Sequence, residues 1–287
     1  MSKLLILGSH GMLGNALIET FSYDRNYEIV AWDKQELDIT DKQEVIRAIK
    51  ALKPEIVINA AAYTDVDGAQ TNQELAMKVN GHTVGYLAKA FCNIDAIFIH
   101  YSTDYVFDGK NSKGYEENDQ PNHPLNVYGE SKLLGEQLLL KQAQNGLKYY
   151  LIRTSWLFGE NGKNFVATMI DLANKHNELK VVNDQYGKPT YTKDLALQTK
   201  FILENKLPWG IYHATNESTL TWYDFAKTIF DVKKTLDPNF TIPKLIPVTS
   251  DEFPRPAKRP QFSILLNTKL PKGQNIQKAL KNYLRHT

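Results

Sequence analysis

Short apolar runs alternate with stretches of helical periodicity through the first half of the chain. Lys3 to Leu7 is too brief for a helix, and it is followed by Gly8-Ser9-His10-Gly11-Met12-Leu13-Gly14 and a helical pattern through Phe21. This reads as strand, glycine turn, helix. Glu28 to Trp32 predicts a second strand, and Asp41 to Leu52 a helix for which Thr40 and Gln43 form a capping box. Pro54 to Asn59 holds a third strand, Asn72 to Asn93 a long helical pattern, and Ala96 to His100 a fourth strand. A polar segment from Asn111 to Asn126 carries Pro121 and Pro124, which prevent a continuous helix and predict a loop. Tyr128 opens a helix to about Gln144, and Leu147 to Arg153 returns to a strand. Strands alternating with helices in this way predict an α/β protein with a parallel sheet.

From Trp156 onward the periodicity becomes irregular. Phe165 to Asn174 predicts a short helix, Lys180 to Val182 a short apolar stretch, Lys193 to Leu203 a helix and Gly210 to Ala214 a strand. Such a region suits a smaller cap built by insertions on a sheet domain. Thr221 and Asp224 form a capping box for a helix that contains Tyr223.

The glycine loop changes the picture from fold to ligand. Gly8 allows a tight turn, Gly11 lets backbone approach a pyrophosphate, and Gly14 lets the helix pack closely on the strand. The helix N-terminus offers free N–H groups and the positive end of its dipole to phosphates. The spacing is GxxGxxG and differs from the GxGxxG dinucleotide fingerprint. Asp33 ends the second strand roughly 20 residues further on, where a carboxylate meets adenine ribose hydroxyls. That favours NAD, whereas Lys34 beside it would pair with the 2′-phosphate of NADP. Ala60, Ala61 and Ala62 leave room at a strand's carboxyl end for a cofactor, and Tyr101-Ser102-Thr103-Asp104-Tyr105 crowds hydroxyls and a carboxylate at the next one. The expected architecture is a Rossmann-type doubly wound parallel sheet over residues 1–155, with a smaller α/β substrate-binding domain formed mainly by 156–287.

Tyr128 and Lys132 are four residues apart in a helical pattern, so phenol and ammonium share one face. A nearby cation favours the phenolate and lowers a pKa that is ordinarily about 10. Such a phenol can protonate a carbonyl oxygen as hydride arrives at the carbon. Tyr223 and Lys227 repeat the spacing, but their helix is explained by its cap.

Composition narrows the field. Lys+Arg 34 against Asp+Glu 32, with no long block of either sign, argues against a nucleic-acid partner. No run of about 18 apolar residues is present to span a bilayer, and the start lacks a signal-peptide layout, so a cytoplasmic protein with no membrane partner is expected. The one cysteine, Cys92, fits a reducing compartment. The seven histidines are scattered and form no HxxxH pair, so no metal is expected.

The glycine loop, Asn59-Ala60-Ala61-Ala62, Ser102-Thr103-Asp104-Tyr105-Val106-Phe107 and Tyr128 with Lys132 occur in the order and at about the spacing of the extended short-chain dehydrogenase/reductases, which the chain resembles from Lys3 to about Leu270. Arg153-Thr154-Ser155-Trp156-Leu157-Phe158-Gly159, Asp184-Gln185-Tyr186-Gly187-Lys188-Pro189-Thr190 and Arg255-Pro256-Ala257-Lys258-Arg259-Pro260 point within that superfamily to reductases of dTDP-linked 4-keto sugars. The resemblance implies that NADPH, or NADH, reduces the C4 ketone of dTDP-4-dehydro-β-L-rhamnose. It assigns the proton to Tyr128, the tuning of that proton and the nicotinamide ribose to Lys132, and the carbonyl oxygen to Thr103, with Ser102 as its backup. Cofactor contacts are implied for His10, Met12, Leu13, Asp38, Ile39, Tyr63 and Asn80, and sugar-nucleotide contacts for Asp104, Tyr105, Trp156, Asn164, Arg255 and Arg259. It also suggests that residues 192–215 rejoin the main sheet, and it leaves a homodimer open. Another nucleotide-sugar reductase or epimerase shares this chemistry, and a regulatory subunit of methionine adenosyltransferase shares the dinucleotide site without an established need for turnover.

Overall fold

The computed structural model describes residues 1–285. Six strands form a parallel sheet: β1 (Ser2–Leu7), β2 (Tyr27–Trp32), β3 (Ile56–Asn59), β4 (Ile97–Thr103), β5 (Tyr149–Thr154) and β6 (Gly210–His213), in the order β6-β5-β4-β3-β1-β2. One strand, β2, lies outside β1, and the chain then crosses back to β3. The direction of winding therefore reverses between β1 and β3, and ligands of open α/β sheets bind beyond the strand ends at such a point. Register sets Trp32, Leu7, Asn59 and His100 side by side, while β4 runs on to Thr103 opposite Thr154.

Alternation along the strands sends side chains to two helical layers. Leu4, Ile6, Ile58, Ile99 and Ile152 pack with Leu13, Leu17 and Phe21 of α1 (Met12–Ser22) and with Leu195 and Ile202 of a helix spanning Thr192–Glu204. Leu5, Leu7, Val57, Phe98 and Leu151 face the other way, toward Val45 and Ile49 of α2 (Lys42–Leu52), Leu87 and Phe91 of α3 (Thr83–Cys92), and Leu139 of α4 (Val127–Ala143). Two local expectations are corrected. Asp41, not Thr40, caps α2, because its carboxylate accepts from Gln43 and Glu44 N–H while the Thr40 hydroxyl donates to Asp38. The long helical pattern is interrupted by a π-helical turn, Met77–His82, before α3.

A second core, around Phe158, Val166, Met169, Phe225, Ile229, Phe230 and Leu280, is enclosed by helices Phe165–Ala173, Trp222–Leu236 and Ile276–Leu284 and the paired strands Glu178–Val182 and Lys244–Val248. The helix from Trp222 carries the expected Thr221–Asp224 capping box. Among the described residues no helix is long and apolar enough to cross a membrane.

One ionic contact ties α4 to the sheet. Arg153 on β5 donates through Nε and Nη2 to the two Glu136 carboxylate oxygens at 3.0 and 2.8 Å, and both side chains are 1% exposed. Arg153 Cζ also lies 5.0 Å from the centre of the Phe107 ring. Removing one partner strands the other charge, so Glu136→Ala is expected to cost about 3–5 kcal/mol. Urea unfolding checks this, and a loss below about 1 kcal/mol would contradict it.

Candidate active site

The glycine turn after β1 is fixed by close approach. Gly8 has φ +77°, and a Cβ there would lie 2.6 Å from Ala61 N. At Gly14 a Cβ would lie 2.1 Å from Gly8 O, so α1 sits directly against the turn. Gly11 is the N-cap of α1, with no side-chain cap and no acidic residue in the first turn. Its free N–H groups and dipole are therefore open to an anion. Asp33 Oδ2 accepts from His10 N–H at 2.9 Å, and Oδ1 from Lys34 N–H at 2.8 Å. Burial raises the Asp33 pKa, but those hydrogen bonds outweigh it and leave the carboxyl below its ordinary value.

Gly8, His10, Gly11, Met12, Leu13, Asp33, Ala60, Ala61 and Ala62 line one side of a cavity of about 690 Å3. The volume and the small residues fit a dinucleotide. Other sequence-predicted residues lie elsewhere. The Asp38 carboxylate is engaged by the Thr40 hydroxyl and N–H, and the Ile39 carbonyl accepts the Tyr86 hydroxyl. Asn80, buried in the π-helical turn, exchanges hydrogen bonds with the Tyr63 backbone and donates to Ser131 Oγ at 3.0 Å. It shapes the β3 loop, with Tyr63 packed near Ala69 and Val127.

The far side of the cavity ends at Ser102, Thr103, Asp104, Tyr128 and Lys132. Asn126 caps α4 by accepting from Gly129 N–H at 2.8 Å, which starts the helix so that Tyr128 and Lys132 face β4. Lys132 Nζ donates to Tyr101 O at 2.7 Å and is 3% exposed. Burial lowers its pKa to about 8, against the pull of Glu136. The expectation that Lys132 lowers the Tyr128 pKa is corrected: burial pushes the phenol up to about 12, the Thr103 hydroxyl opposing and Asp104 adding to the rise. At neutral pH Tyr128 therefore holds its proton. Ser102 and Thr103 both border this cavity, and Thr103 alone of the two also lines the lobe beyond Tyr128. The Thr103 hydroxyl is the one that acts on the Tyr128 phenol, drawing its pKa down against burial, whereas Ser102 Oγ is buried without a hydrogen bond.

That second lobe holds about 600 Å3 and shares Thr64, Thr103, Asp104, Tyr128, Trp156 and Leu157 with the first. Tyr105 meets Tyr128 edge-on, with centroids 6.0 Å apart. Trp156 has φ +48°, uncommon for a bulky residue, and stacks on Trp222 with centroids 3.5 Å apart. A Cβ at Gly187 would lie 2.5 Å from its ring. Arg255 and Arg259 border the lobe, and both pair with Asp67, which also accepts from Ala257 N–H. The Arg259 guanidinium foremost holds the Asp67 carboxyl well below the usual range. Asn164 does not reach the lobe: it caps the helix from Phe165, and its amide donates to Gly159 O at 2.9 Å. Asp67, Thr64 and Trp222 escaped sequence reasoning, while Gln185, which accepts from Trp222 Nε1 at 3.2 Å, lies inside a motif already singled out. A wider hollow at the other end of the sheet, around Tyr27, Tyr150 and Trp209, is lined by none of the predicted site residues.

A doubly wound parallel sheet with a glycine turn at its switch point, and a Thr103, Tyr128 and Lys132 cluster at the strand ends, defines an extended short-chain dehydrogenase/reductase. The family model described as the RmlD substrate binding domain matches residues 2–286. The chain is 43% identical to the dTDP-4-dehydrorhamnose reductase of Aggregatibacter actinomycetemcomitans, over 98% of each chain. A crystal structure of a dTDP-4-dehydrorhamnose reductase from Clostridium acetobutylicum superposes with a TM-score of 0.91 at 39% identity, covering 99% of both chains. The enzyme of that name from Bacillus anthracis, in complex with NADP, superposes at 0.92 with 35% identity, over 100% of this chain and 99% of that one. The chain belongs to this family, that of the dTDP-4-dehydrorhamnose reductases.

The contact of Gly14 with Gly8 O makes a local prediction. Gly14→Ala forces α1 off the turn, at about 1–3 kcal/mol of overpacking. Unfolding stability and NADPH affinity, followed by fluorescence titration, should both fall, and an unchanged affinity would separate α1 from the cofactor site.

Proposed function

We propose that this protein reduces the C4 ketone of dTDP-4-dehydro-β-L-rhamnose to dTDP-β-L-rhamnose with NADPH, or NADH. The observation that carries the reading is the junction of the two lobes, where a dinucleotide-sized cavity and a cleft bordered by arginines meet at Thr103 and Tyr128. The cofactor, when bound, supplies the hydride. Tyr128, protonated at neutral pH, gives its proton to the ketone oxygen. Thr103, adjoining the phenol, holds that oxygen. Lys132 donates to Tyr101 O at 2.7 Å and has further N–H groups for ribose hydroxyls.

The unit built on the second core is the substrate side. Asp67 carries two guanidiniums on one carboxylate, so the cluster keeps a net positive charge toward a diphosphate. Tyr105 and Trp156 supply aromatic surface for the sugar nucleotide.

The test is oxidation of NADPH and of NADH with the 4-keto product of dTDP-glucose dehydratase and its epimerase. Rapid oxidation that requires the epimerase supports the rhamnose branch; cofactor binding without oxidation would sink it. Tyr128→Phe should lower kcat by about 100-fold or more, the scale of a lost general acid, and leave NADPH affinity within about twofold. A variant that kept near-full rate would remove Tyr128 from the role of proton donor.

A further inference from the structure

Asp104 follows Thr103 at the end of β4, is 2% exposed, and borders both lobes of the cleft. Thr103 Oγ1 lies 2.8 Å from Asp104 Oδ1 and accepts from Tyr105 N–H at 3.2 Å. Thr103 and Tyr128 line the cleft together where the two lobes join, and the Thr103 hydroxyl is the side chain that opposes the rise in the Tyr128 pKa. Asp104 Oδ2 is buried with no hydrogen bond. The cations near the cleft are engaged elsewhere, Arg259 with Asp67 and Lys132 with Tyr101 O. A carboxylate enclosed without a cation or a full set of donors is costly, so this group readily takes up a proton.

We infer that Asp104 is the proton store of the reaction, refilling Tyr128 through the Thr103 hydroxyl after each turnover. This rests on the reading of Tyr128 as the proton donor. When Tyr128 gives its proton to the ketone oxygen, its O–H bond breaks and a phenolate remains. Thr103 Oγ1 passes its proton to that phenolate and takes one from Asp104 Oδ1. One O–H bond is lost at Asp104 and one is regained at Tyr128, while the Thr103 hydroxyl is unchanged. The carboxylate left behind accepts from Thr103, the arrangement seen at 2.8 Å. Solvent protonates it again once product leaves the cleft, and no further reactant is needed.

The direction of transfer follows from the two environments. Burial lifts Asp104 to about 7; the Ser263 hydroxyl, whose own hydrogen bond goes to Tyr186 O at 3.3 Å, and the Thr103 hydroxyl pull the other way without offsetting it. Burial lifts Tyr128 to about 12, so a phenolate there is a far stronger base than the carboxylate. The titratable groups around Asp104 are Tyr105, with Arg259 close to it, and Tyr128; Lys132 lies one helical turn beyond. Lys132, near 8, is the rival source of pH dependence.

Asp104→Asn keeps the shape and an acceptor for Thr103 but carries no acid proton. In the reduction direction its steady-state kcat should fall at least about tenfold near pH 6, as for a lost proton-transfer group. Its first turnover, followed by rapid mixing, should keep nearly the full rate, because Tyr128 starts protonated. The unaltered enzyme should lose kcat as pH rises through about 7, and Asp104→Asn should lack that limb while any limb from Lys132 near 8 persists. A steady-state rate within about twofold with the limb intact would overturn the store. So would a first turnover slowed as much as the steady state, which marks a structural role. Should the variant fail to fold, the unaltered enzyme still decides: a kcat flat from about pH 6 to about pH 9 overturns the inference. An active Tyr128→Phe would defeat the donor assignment itself, whereas an inactive Tyr128→Phe beside an unaffected Asp104→Asn would defeat only the store.

Discussion

Lys132 buries an ammonium against the end of β4, where its Nζ donates to Tyr101 O at 2.7 Å. Desolvation disfavours that charge and brings its pKa down to about 8. What offsets the cost is Glu136, one turn along the same face of α4, whose carboxylate is itself held by Arg153 of β5. Arg153 in turn approaches His213 of β6 at 3.4 Å. A line of charged and polar groups thus runs from α4 across three neighbouring strands. Apolar contacts alone tolerate sliding of a helix over a sheet; a bidentate ion pair and a backbone hydrogen bond on successive turns do not. The position of Tyr128 against Thr103 is inherited from that register.

The same constraint explains why the glycine turn and the Tyr128 cluster share a cavity. The parallel sheet delivers every strand's carboxyl end to one edge, and the reversal of winding between β1 and β3 opens that edge for a ligand. Ala60 to Ala62 follow β3 and Thr103 ends β4, so the dinucleotide-sized lobe is walled by adjacent strands. The second lobe needs a different source of rigidity, because its walls come from loops. Asp67 provides part of it, binding Arg255 and Arg259 from a segment about 190 residues away and accepting from Ala257 N–H at 3.1 Å. The stacked Trp156 and Trp222 provide another part, and they hold a tryptophan in the left-handed region.

Local signals make much of this legible in the sequence. Apolar runs bounded by glycines, the helical spacing of Tyr128 and Lys132, and the Thr221–Asp224 box each depend on residues within one or two turns. Several predicted site residues are engaged by the protein itself. Asn164 and Asn80 carry amides that suit a ligand, yet each side chain is committed to nearby protein backbone. Asp38 and Ile39 follow the second strand but are drawn into the start of α2 and the contact with Tyr86. Helical spacing points to Lys132 as the group that tunes Tyr128, whereas burial rules the phenol's environment, which a linear pattern does not display. Asp67 had no local signal at all, since its partners are distant arginines.

Burial at the junction of the lobes acts in opposite senses on the groups it encloses. It drives Tyr128 and Asp104 toward their protonated forms and Lys132 toward its neutral one. Before anything binds, Tyr128 is thereby protonated at neutral pH, Asp104 lies near its midpoint, and Lys132 is weakened as a charge. In the proposed reaction a proton must be in place when the ketone oxygen becomes basic, and a protonated phenol meets that need. For Tyr128 the lowering of its pKa falls to the Thr103 hydroxyl, whose position at the end of β4 follows from the tie between Lys132 and Tyr101.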